Sequence, residues 1–497
     1  MRLRELLAAA RPSRVSGGDE AQITGLRHDS RLVEKGDLFF ALPGSKTDGN
    51  RHAKAAIERG ALAVLSELEP PPPPAVLSAC WAQVPDAAAA MGRVAARFFG
   101  EPSAALKVVG VTGTNGKTTT TYFLESIVKA AGGKPGVVGT VDYRLGGRVI
   151  AKAPNTTPIA LELQRLLARF RDGKATHACM EVSSHALALK RVEEVDFDAA
   201  IFTNISRDHL DFHKTQEEYF KAKLRLFELL SKPANKKNKR VAALNAEDSK
   251  AKELARQCLG CEVIFFGLSE KATLRATKLE ATTTGTAFDF EWKGKTYHAG
   301  INLVGEHNVY NALGAAAAML GLGVKAKAVI KGLADLALVP GRLEPICEGQ
   351  DFSVFVDYAH TDSALETVLS YLKKLPHAKL ITVFGCGGDR DKTKRGPMGV
   401  AACRSSDLAL LTSDNPRSED PRAIIADVVA GIKTAGLKNY KIQPERAAAI
   451  EEAVRTARSG DIVLIAGKGH EDYQILKDRT IPFDDREAAR AALRMKR

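Results

Sequence analysis

The sequence has 497 residues, of which 45% are hydrophobic and 26% charged, a composition typical of a globular protein with about three domains. The longest run of glycine and apolar residues, 312–324, is too short to span a bilayer. The net charge of +13 favours anionic partners, but no aromatic-interleaved basic stripe indicates nucleic-acid binding, so we expect small anionic substrates.

The first residues and the cysteines both favour a cytoplasmic protein. A polar stretch follows the first ten residues, which leaves no apolar core for a secretory signal. Seven cysteines with one Cys-x-x-Cys pair, Cys258 and Cys261, fit neither a disulfide framework nor a zinc site. We therefore expect a cytoplasmic enzyme. We also expect a monomer without a membrane partner.

Changes in composition divide the chain into three predicted domains, 1–104, 105–339 and 340–497. The first ends near a proline tract at 69–74, predicted to be an extended surface loop, and a helix predicted over 86–99. A basic run, 236–240, is predicted to be a solvated loop.

From residue 107 onward, short apolar runs are each followed at once by small, polar or charged residues. Such runs, alternating with helices, predict parallel sheets in a central and a C-terminal α/β domain, beside a smaller α/β N-terminal domain. Ligands of open α/β sheets lie beyond the carboxyl ends of the strands, where these polar clusters fall. The sequence therefore predicts two doubly wound domains that face a shared cleft.

The segment TGTNGKTTT, 112–120, lies between a predicted strand and a helix predicted over 121–131, as a phosphate-binding loop does. Glycine N–H groups would approach phosphate, Lys117 would reach the terminal phosphates, and Thr118 would bind Mg²⁺. The usual first glycine is replaced by Val111. The alternative, a glycine-rich turn with a surface lysine, fits this context less well, so we predict nucleotide binding.

Two polar side chains follow the next predicted strands. Glu181 ends an apolar strand, and a carboxylate beside a phosphate loop is a natural second ligand of Mg²⁺. His209 follows the next strand at the predicted cleft edge, which favours a metal or phosphate role. The alternatives are a capped glutamate in a polar pocket and a structural histidine.

Lys223 lies on the apolar face of a helix predicted over 216–230, four residues from both Tyr219 and Phe227. A buried, unpaired ammonium is costly. The lysine would therefore pair with a phosphate or carboxylate, become a carbamate, or extend its amine to the surface. Residue types alone leave these three alternatives open.

Ten motifs, in this order, resemble those of the ATP-dependent Mur ligases. They are VTGTNGKTTT, NTTP, MEVSSHAL, SRDHLDFH, GEHNVYN, PGRLE, VDYAH, GCGGDRDKTKR, DNPR and AGKGHEDYQ. They cover nearly the whole chain and are most similar to the branch that adds the third residue of the muramyl peptide. The resemblance implies an ATP-dependent amide ligase of peptidoglycan precursor synthesis, which uses Mg²⁺ and forms an acyl phosphate.

The resemblance also implies a role for each matching residue. The ATP site would comprise Gly113, Thr114, Asn115, Gly116, Lys117, Thr118, Thr119, Asn308, Asn311, Arg342, Asp357, His360 and Lys392. Thr118, Glu181, His209 and a carbamylated Lys223 (N6-carboxylysine) would hold two Mg²⁺, and Lys117, Glu181, His209 and Lys223 would be catalytic. The UDP-N-acetylmuramoyl-dipeptide would contact Ser30, Arg31, His52, Asn155, Thr156, Thr157, Ser184 and Arg191. The family often has Phe at the position of His307, and some members have Gln at that of Leu189.

The DNPR motif implies meso-diaminopimelate as the incoming amino acid. The branch that adds lysine usually lacks the arginine, and an arginine can bind the additional carboxylate of diaminopimelate through two hydrogen bonds. The implied pocket comprises Arg390, Asp414, Asn415, Pro416, Arg417, Gly467 and Glu471, with Glu471 matching an ammonium.

Two classes of protein are alternatives to this function. Folylpolyglutamate synthase and the other muramyl ligases share the fold, but the first region resembles a uridine-nucleotide domain and DNPR is present. A nucleotide-dependent binding module or nucleic-acid translocase would need neither the cluster of Glu181, His209 and Lys223 nor a pocket for a diacid.

Overall fold

Three sheets, each flanked by helices, organise the chain in a computed structural model that describes residues 1–44, 48–70, 79–232, 239–282 and 285–496. Most of the predicted proline loop and residues 236–238 of the basic run lie outside these ranges. No helix of the described part is both long and apolar enough to cross a membrane. The predicted domain boundaries at 104 and 339 stay a prediction.

The N-terminal sheet has five strands in the order β1-β5-β4-β3-β2, and only β1 is antiparallel to its neighbour. Its strands are β1 (Arg14–Ser16), β2 (Gly25–Arg27), β3 (Asp37–Ala41), β4 (Ala63–Ser66) and β5 (Cys80–Gln83). Its helices are α1 (Leu3–Ala10), α2 (Ala53–Glu58) and α3 (Ala87–Phe98). Helix α3 matches the predicted helix, and the side chain of Asp86 caps it by accepting a hydrogen bond from the Ala89 amide.

The central sheet has eleven strands in the order β16-β15-β14-β13-β12-β11-β6-β10-β7-β8-β9. They are β6 (Lys107–Thr112), β7 (Pro135–Val138), β8 (Asp142–Leu145), β9 (Arg148–Lys152), β10 (His177–Glu181), β11 (Ala199–Phe202), β12 (Val241–Asn245), β13 (Glu262–Gly267), β14 (Leu274–Ala281), β15 (Thr286–Trp292) and β16 (Lys295–Ile301). The helices are α4 (Lys117–Ala130), α5 (Ala160–Asp172), α6 (Ser184–Ala188), α7 (Leu210–His213), α8 (Gln216–Ser231), α9 (Ala251–Gln257), α10 (Glu306–Gly321) and α11 (Ala326–Asp335).

The C-terminal sheet has six strands in the order β17-β18-β22-β19-β20-β21, beside a hairpin of β23 and β24. The strands are β17 (Glu344–Pro345), β18 (Ser353–Asp357), β19 (Leu380–Phe384), β20 (Leu408–Leu411), β21 (Tyr440–Ile442), β22 (Ile462–Ala466), β23 (Tyr473–Ile475) and β24 (Thr480–Pro482). The helices are α12 (Asp362–Leu372), α13 (Arg395–Ser405), α14 (Pro421–Thr434), α15 (Arg446–Thr456) and α16 (Asp485–Lys496).

The predicted α/β class is confirmed, but the sheets are mixed where parallel sheets were predicted. In the central sheet, β7 to β9 and β14 to β16 pair antiparallel at the two edges. Both outer hairpins turn through two consecutive residues with positive φ, Gly146-Gly147 and Lys293-Gly294, the conformation that joins antiparallel strands tightly. The apolar runs of the sequence marked only the inner strands, which are buried on both faces.

A fully buried ion pair holds α15 to α16. The Arg446 Nε and Nη2 atoms each lie 2.7 Å from a carboxylate oxygen of Asp485, and neither side chain is exposed. Arg446 also donates to the carbonyl of Ala466, at the carboxyl end of β22. The pair therefore supports the strand end that carries part of the candidate site.

We expect Asp485→Ala to destabilise the C-terminal domain by about 3–5 kcal/mol, because it leaves a buried guanidinium without its anion. The measurement is calorimetric unfolding of the full chain. Glu487→Ala, on the same helix, removes a solvent-exposed partner of Arg490 and should leave the melting temperature unchanged. Equal melting temperatures for the two variants would contradict the expectation.

Candidate functional site

The predicted phosphate loop follows β6, which lies between β10 and β11 at the centre of the sheet. Gly116 adopts φ +89° and is the N-cap of α4, so the helix begins at Lys117, four residues earlier than predicted. A Cβ at Gly116 would lie 2.2 Å from the Asn311 side-chain oxygen, and one at Gly113 would lie 1.9 Å from the Thr203 hydroxyl. Both residues also have a positive φ, +150° at Gly113 and +89° at Gly116, which side chains rarely adopt, so both positions favour glycine and keep the loop backbone open to an anion.

Lys117 folds over the loop that carries it. Its Nζ donates to the carbonyls of Gly113 and Thr114, at 2.8 and 2.9 Å. Burial lowers the pKa of Lys117, whereas the Glu181 carboxylate raises it. The amine thus contacts the backbone of the loop itself, and a role toward phosphate stays a prediction.

Glu181 is the last residue of β10, and its buried carboxylate is held by two threonines. Oε2 accepts hydrogen bonds from the hydroxyls of Thr118, at 3.1 Å, and Thr140, at 3.0 Å. Oε1 accepts one from the Thr140 amide at 2.9 Å. A carboxylate beside a hydroxyl on a phosphate loop is a set of oxygen donors that suits Mg²⁺.

His209 lies directly before α7 with φ +54°. Its Nε2 is 3.5 Å from the Asp208 carboxylate, and its ring packs edge-on against His185, with 4.8 Å between centroids. Burial lowers the pKa of His209 to about 3. The imidazole is therefore neutral near pH 7, the form that binds metals.

Lys223 is buried on the apolar face of α8 together with Tyr219 and Phe227, as predicted. Its Nζ donates to the Gly113 carbonyl at 2.9 Å and lies 4.2 Å from the centroid of the Tyr219 ring. In the described part of the chain no carboxylate lies within 4.0 Å of this nitrogen. Burial, and then the Lys117 ammonium, hold the pKa of Lys223 well below its usual value. The surface-directed alternative is wrong, because the side chain is 1% exposed.

A first cavity of about 310 Å³ lies between the phosphate loop and the C-terminal domain. The predicted ATP residues that line it are Asn115, Gly116, Thr118, Thr119, Asn308, Asn311, Arg342, Asp357 and His360. Arg342 closes the gap between the domains, because its Nη2 donates to the Thr118 hydroxyl at 3.2 Å. His307 also lines this cavity.

Lys392 does not line this cavity. Its Nζ lies 3.3 Å from the Glu419 carboxylate, in a separate depression lined also by Asp389. Lys394, two residues later, donates to the carbonyl of His360 at 3.0 Å and lines a larger cavity.

This larger cavity, of about 810 Å³, lies between the central and C-terminal domains. The predicted site residues that line it are Asn155, Thr156, His209, His360, Arg390, Asp414, Asn415, Arg417, Gly467 and Glu471. Tyr358 and His360 line both cavities. A nucleotide in the first cavity and a substrate in the second would therefore meet beside these two residues.

The residues of the DNPR motif follow β20. Arg417 adopts φ +52°, and its Nη1 donates to the carbonyl of Gly388 at 2.8 Å. The Asn415 side chain donates to Glu471 at 2.9 Å, which joins this loop to the one after β22. The loops after β20 and β22, whose strands flank β19 in the sheet, thus present Arg417 and Glu471 to one cavity. Pro416 does not line this cavity, and its carbonyl lies against Gly388.

The remaining predicted substrate residues do not line either cavity. Thr157 and Ser184 are buried, and Arg191 donates to the Thr157 carbonyl at 2.8 Å. In the N-terminal domain, Arg31 forms an exposed ion pair with Asp29 at 2.7 Å. Ser30 lies in the same turn, and His52 ends a turn that begins at Gly49.

Four residues that the sequence reasoning missed support the site. Thr140 holds Glu181, Tyr358 lines both cavities, Lys394 supports His360, and Lys468 contacts Glu471. Tyr358, Lys394 and Lys468 belong to the motifs VDYAH, GCGGDRDKTKR and AGKGHEDYQ, so those motifs were the available signal. Thr140 follows β7 outside any motif and gave no signal.

The chain matches three family models. They are the Mur ligase middle domain at residues 111–319, the Mur ligase glutamate ligase domain at 341–469, and the Mur ligase family catalytic domain at 22–99. The chain is also 46% identical over 496 residues to the UDP-N-acetylmuramoyl-L-alanyl-D-glutamate--2,6-diaminopimelate ligase of Solibacter usitatus, covering 99% of this chain and 98% of that one.

The chain belongs to the Mur ligase family. Mur ligases are ATP-dependent enzymes that form amide bonds, and this chain is a ligase of that class. A solved UDP-N-acetylmuramoyl-L-alanyl-D-glutamate--2,6-diaminopimelate ligase is 33% identical with a TM-score of 0.71, covering 100% of this chain and 99% of that one. MurF from Thermotoga maritima, solved with ADP, shares the fold with a TM-score of 0.65 at 19% identity, covering 96% of this chain and 98% of that one.

Proposed function

We propose that this Mur ligase joins meso-diaminopimelate to the D-glutamate carboxylate of UDP-N-acetylmuramoyl-L-alanyl-D-glutamate, at the expense of ATP. The observation that carries the proposal is the larger cavity, where Arg417, Asn415 and Glu471 face Asn155 and Thr156 across the domain interface. The relative from Solibacter usitatus, similar over its full length, carries the name of this reaction.

The first step activates the acceptor acid. The glutamate carboxylate attacks the γ-phosphate of ATP, which gives an acyl phosphate and ADP. Lys117 offsets the repulsion between these two anions, and Arg342, which reaches the phosphate loop from the C-terminal domain, adds a second positive charge. Tyr358 and His360 line both cavities and so border the point of transfer.

Mg²⁺ fits the residues beside the phosphate loop. The Thr118 hydroxyl, the Glu181 carboxylate and the neutral His209 ring are donors that this ion accepts, and they would hold it. When bound, the ion would neutralise phosphate charge. Arg342 and Glu181 both contact the Thr118 hydroxyl, so a residue of the C-terminal domain reaches this set of donors.

A carbamate on Lys223 is the modification that the local chemistry favours. Only an unprotonated amine combines with CO₂, and burial beside Lys117 favours the unprotonated form of Lys223. The product is an anion at a position where Lys223 donates only to a backbone carbonyl, among the described residues. The carbamate would also add an oxygen donor for Mg²⁺ to the set of Thr118, Glu181 and His209.

The second step joins the amino acid. The amine attacks the acyl carbon through a tetrahedral intermediate and phosphate leaves, so the amine must arrive unprotonated. Glu471 would bind an ammonium and Arg417 a carboxylate, the two groups at the distal end of diaminopimelate, and both residues line the larger cavity. We also propose that Ser30, Arg31 and His52 contact the UDP group. The enzyme would be a cytoplasmic monomer without a nucleic-acid partner.

The decisive experiment measures ADP release with each substrate omitted in turn. We expect release only when ATP, Mg²⁺, UDP-N-acetylmuramoyl-L-alanyl-D-glutamate and meso-diaminopimelate are all present. L-lysine in place of diaminopimelate should give little release. Release that needs lysine, folate or a nucleic acid instead would reject the proposed substrate.

A further inference from the structure

Lys468 is a fully buried cation beside the proposed amino-acid pocket, and the reaction described above gives it no role. It follows β22 between Gly467 and Gly469, and its side chain has no exposed surface. Its Nζ lies 3.1 Å from Oε2 of Glu471 and 3.3 Å from Oδ1 of Asn415. Burying an unpaired lysine ammonium costs free energy. The contacts with Glu471 and Asn415 offset that cost for Lys468.

The network around Lys468 fixes the orientation of Asn415. The Asn415 oxygen accepts hydrogen bonds from Lys468 and from the Ile475 amide, the latter at 2.9 Å. Its side-chain nitrogen donates to Oε2 of Glu471 at 2.9 Å. Three segments, after β20, after β22 and in β23, are thus joined through one amide and one ammonium. Asn415 and Lys468 both donate hydrogen bonds to Oε2 of Glu471.

The other oxygen of Glu471, Oε1, is left for a ligand to contact. Within the described residues Oε1 accepts no hydrogen bond, and Glu471 lines the cavity of about 810 Å³. Burial raises the pKa of Glu471, the nearby Asp414 carboxylate raises it further, and Lys468 lowers it. Without Lys468, the carboxyl would hold its proton to a higher pH and would bind an ammonium less well.

We propose that Lys468 is a positioning residue that keeps Glu471 ionised and turns one of its oxygens toward the ammonium of the incoming amino acid. The inference rests on the proposed function. The two oxygens of Glu471 would have different roles. Lys468 and Asn415 donate to Oε2 from inside the protein, and Oε1 would contact the substrate ammonium. Lys468 itself would not contact the substrate.

The test compares Lys468→Met with the wild-type enzyme in steady-state ADP release. We expect the KM for meso-diaminopimelate to rise by roughly 10- to 100-fold, the range for loss of a charge-assisted contact, while the KM values for ATP and the UDP-linked acceptor stay within about twofold. Lys477→Met, an exposed lysine just after β23, is the matched control and should behave as wild type. An unchanged KM for diaminopimelate in Lys468→Met would overturn the proposal.

The pH profile of kcat/KM for diaminopimelate distinguishes an effect of Lys468 on the charge of Glu471 from a purely structural role. The groups around Glu471 are Lys468, Asp414, Arg417, Arg446, Tyr358 and Tyr473. Removing Lys468 should raise the pKa of Glu471, so the acidic limb of kcat/KM for diaminopimelate should move to higher pH and activity should partly recover as the pH rises. An acidic limb at the wild-type position would contradict the charge role.

Two further variants keep the test decisive if Lys468→Met fails to fold. Lys468→Gln keeps a donor without the charge and should show the same shift of the acidic limb. In a background of Glu471→Gln, Lys468→Gln should add little to the KM, because the carboxylate on which it acts is gone. Additive effects in this cycle would refute the inference. Wild-type enzyme without diaminopimelate-dependent ADP release would instead refute the proposed function.

Discussion

Lys223→Ala should reduce kcat by roughly 100-fold or more, and short carboxylic acids such as acetate should restore part of the loss. The side chain is buried against the phosphate loop, where it donates to the Gly113 carbonyl. If the working form is a carbamate, the alanine variant lacks an anion that a small carboxylate can replace in the space left behind. The measurement is ADP release as a function of acetate concentration.

The control for this prediction lies on the same helix. Lys221 is exposed and pairs with Glu218 at 3.1 Å, so Lys221→Ala should retain wild-type activity with or without acetate. Full activity of Lys223→Ala would remove the lysine from the catalytic set. Loss of activity without rescue by formate, acetate or propionate, in a protein that melts normally, would contradict the carbamate.

The burial of Lys223 shows what the sequence could establish. Helical spacing places Tyr219, Lys223 and Phe227 on one face, and that face packs against the sheet. The same holds for Glu181, because an apolar run that ends in a carboxylate defines a strand end. Such predictions succeed because they depend on the local period of the chain alone.

Local periodicity could not predict the antiparallel edge strands of the central sheet or the long-range contacts that support the site. Strands β8 and β9 are short and only partly buried, so no apolar run marks them. The Thr140 hydroxyl contacts a carboxylate 41 residues away in sequence, and nothing in the local pattern specifies that approach. Contacts of this kind depend on how separate strands are ordered in the sheet.

Lys392 shows the limit of matching residues to a family motif. The motif GCGGDRDKTKR contains Lys392 and Lys394, and the resemblance assigned the first to ATP. In this structure Lys392 pairs with Glu419, whereas Lys394 lies beside His360, which lines both cavities. Which of two nearby lysines faces the site depends on the turn at 392–394, a short helix capped by Asp391.

Arg417→Ala should raise the KM for meso-diaminopimelate by roughly 30- to 1000-fold while changing the KM for ATP little, because a bidentate contact between guanidinium and carboxylate is lost. Arg417→Lys keeps the charge but not the planar pair of donors, so it should lose most of the same affinity. Both variants are assayed by ADP release with diaminopimelate and with L-lysine. L-lysine lacks the second carboxylate, so the low rate of ADP release with L-lysine should change far less. The ratio of kcat/KM for diaminopimelate to kcat/KM for L-lysine should therefore fall.

The backbone around Arg417 argues that this effect reflects recognition and not collapse of the loop. The Asp389 carboxylate accepts hydrogen bonds from the Ser418 amide and hydroxyl, and Glu419 accepts one from the Asp389 amide, so the two loops stay joined without the arginine. Arg422→Ala, exposed on α14, is the matched control and should keep the wild-type KM for diaminopimelate. If Arg417→Ala kept that value too, Arg417 would have no place in the amino-acid pocket. If it instead weakened ATP and diaminopimelate equally, its role would lie in domain closure.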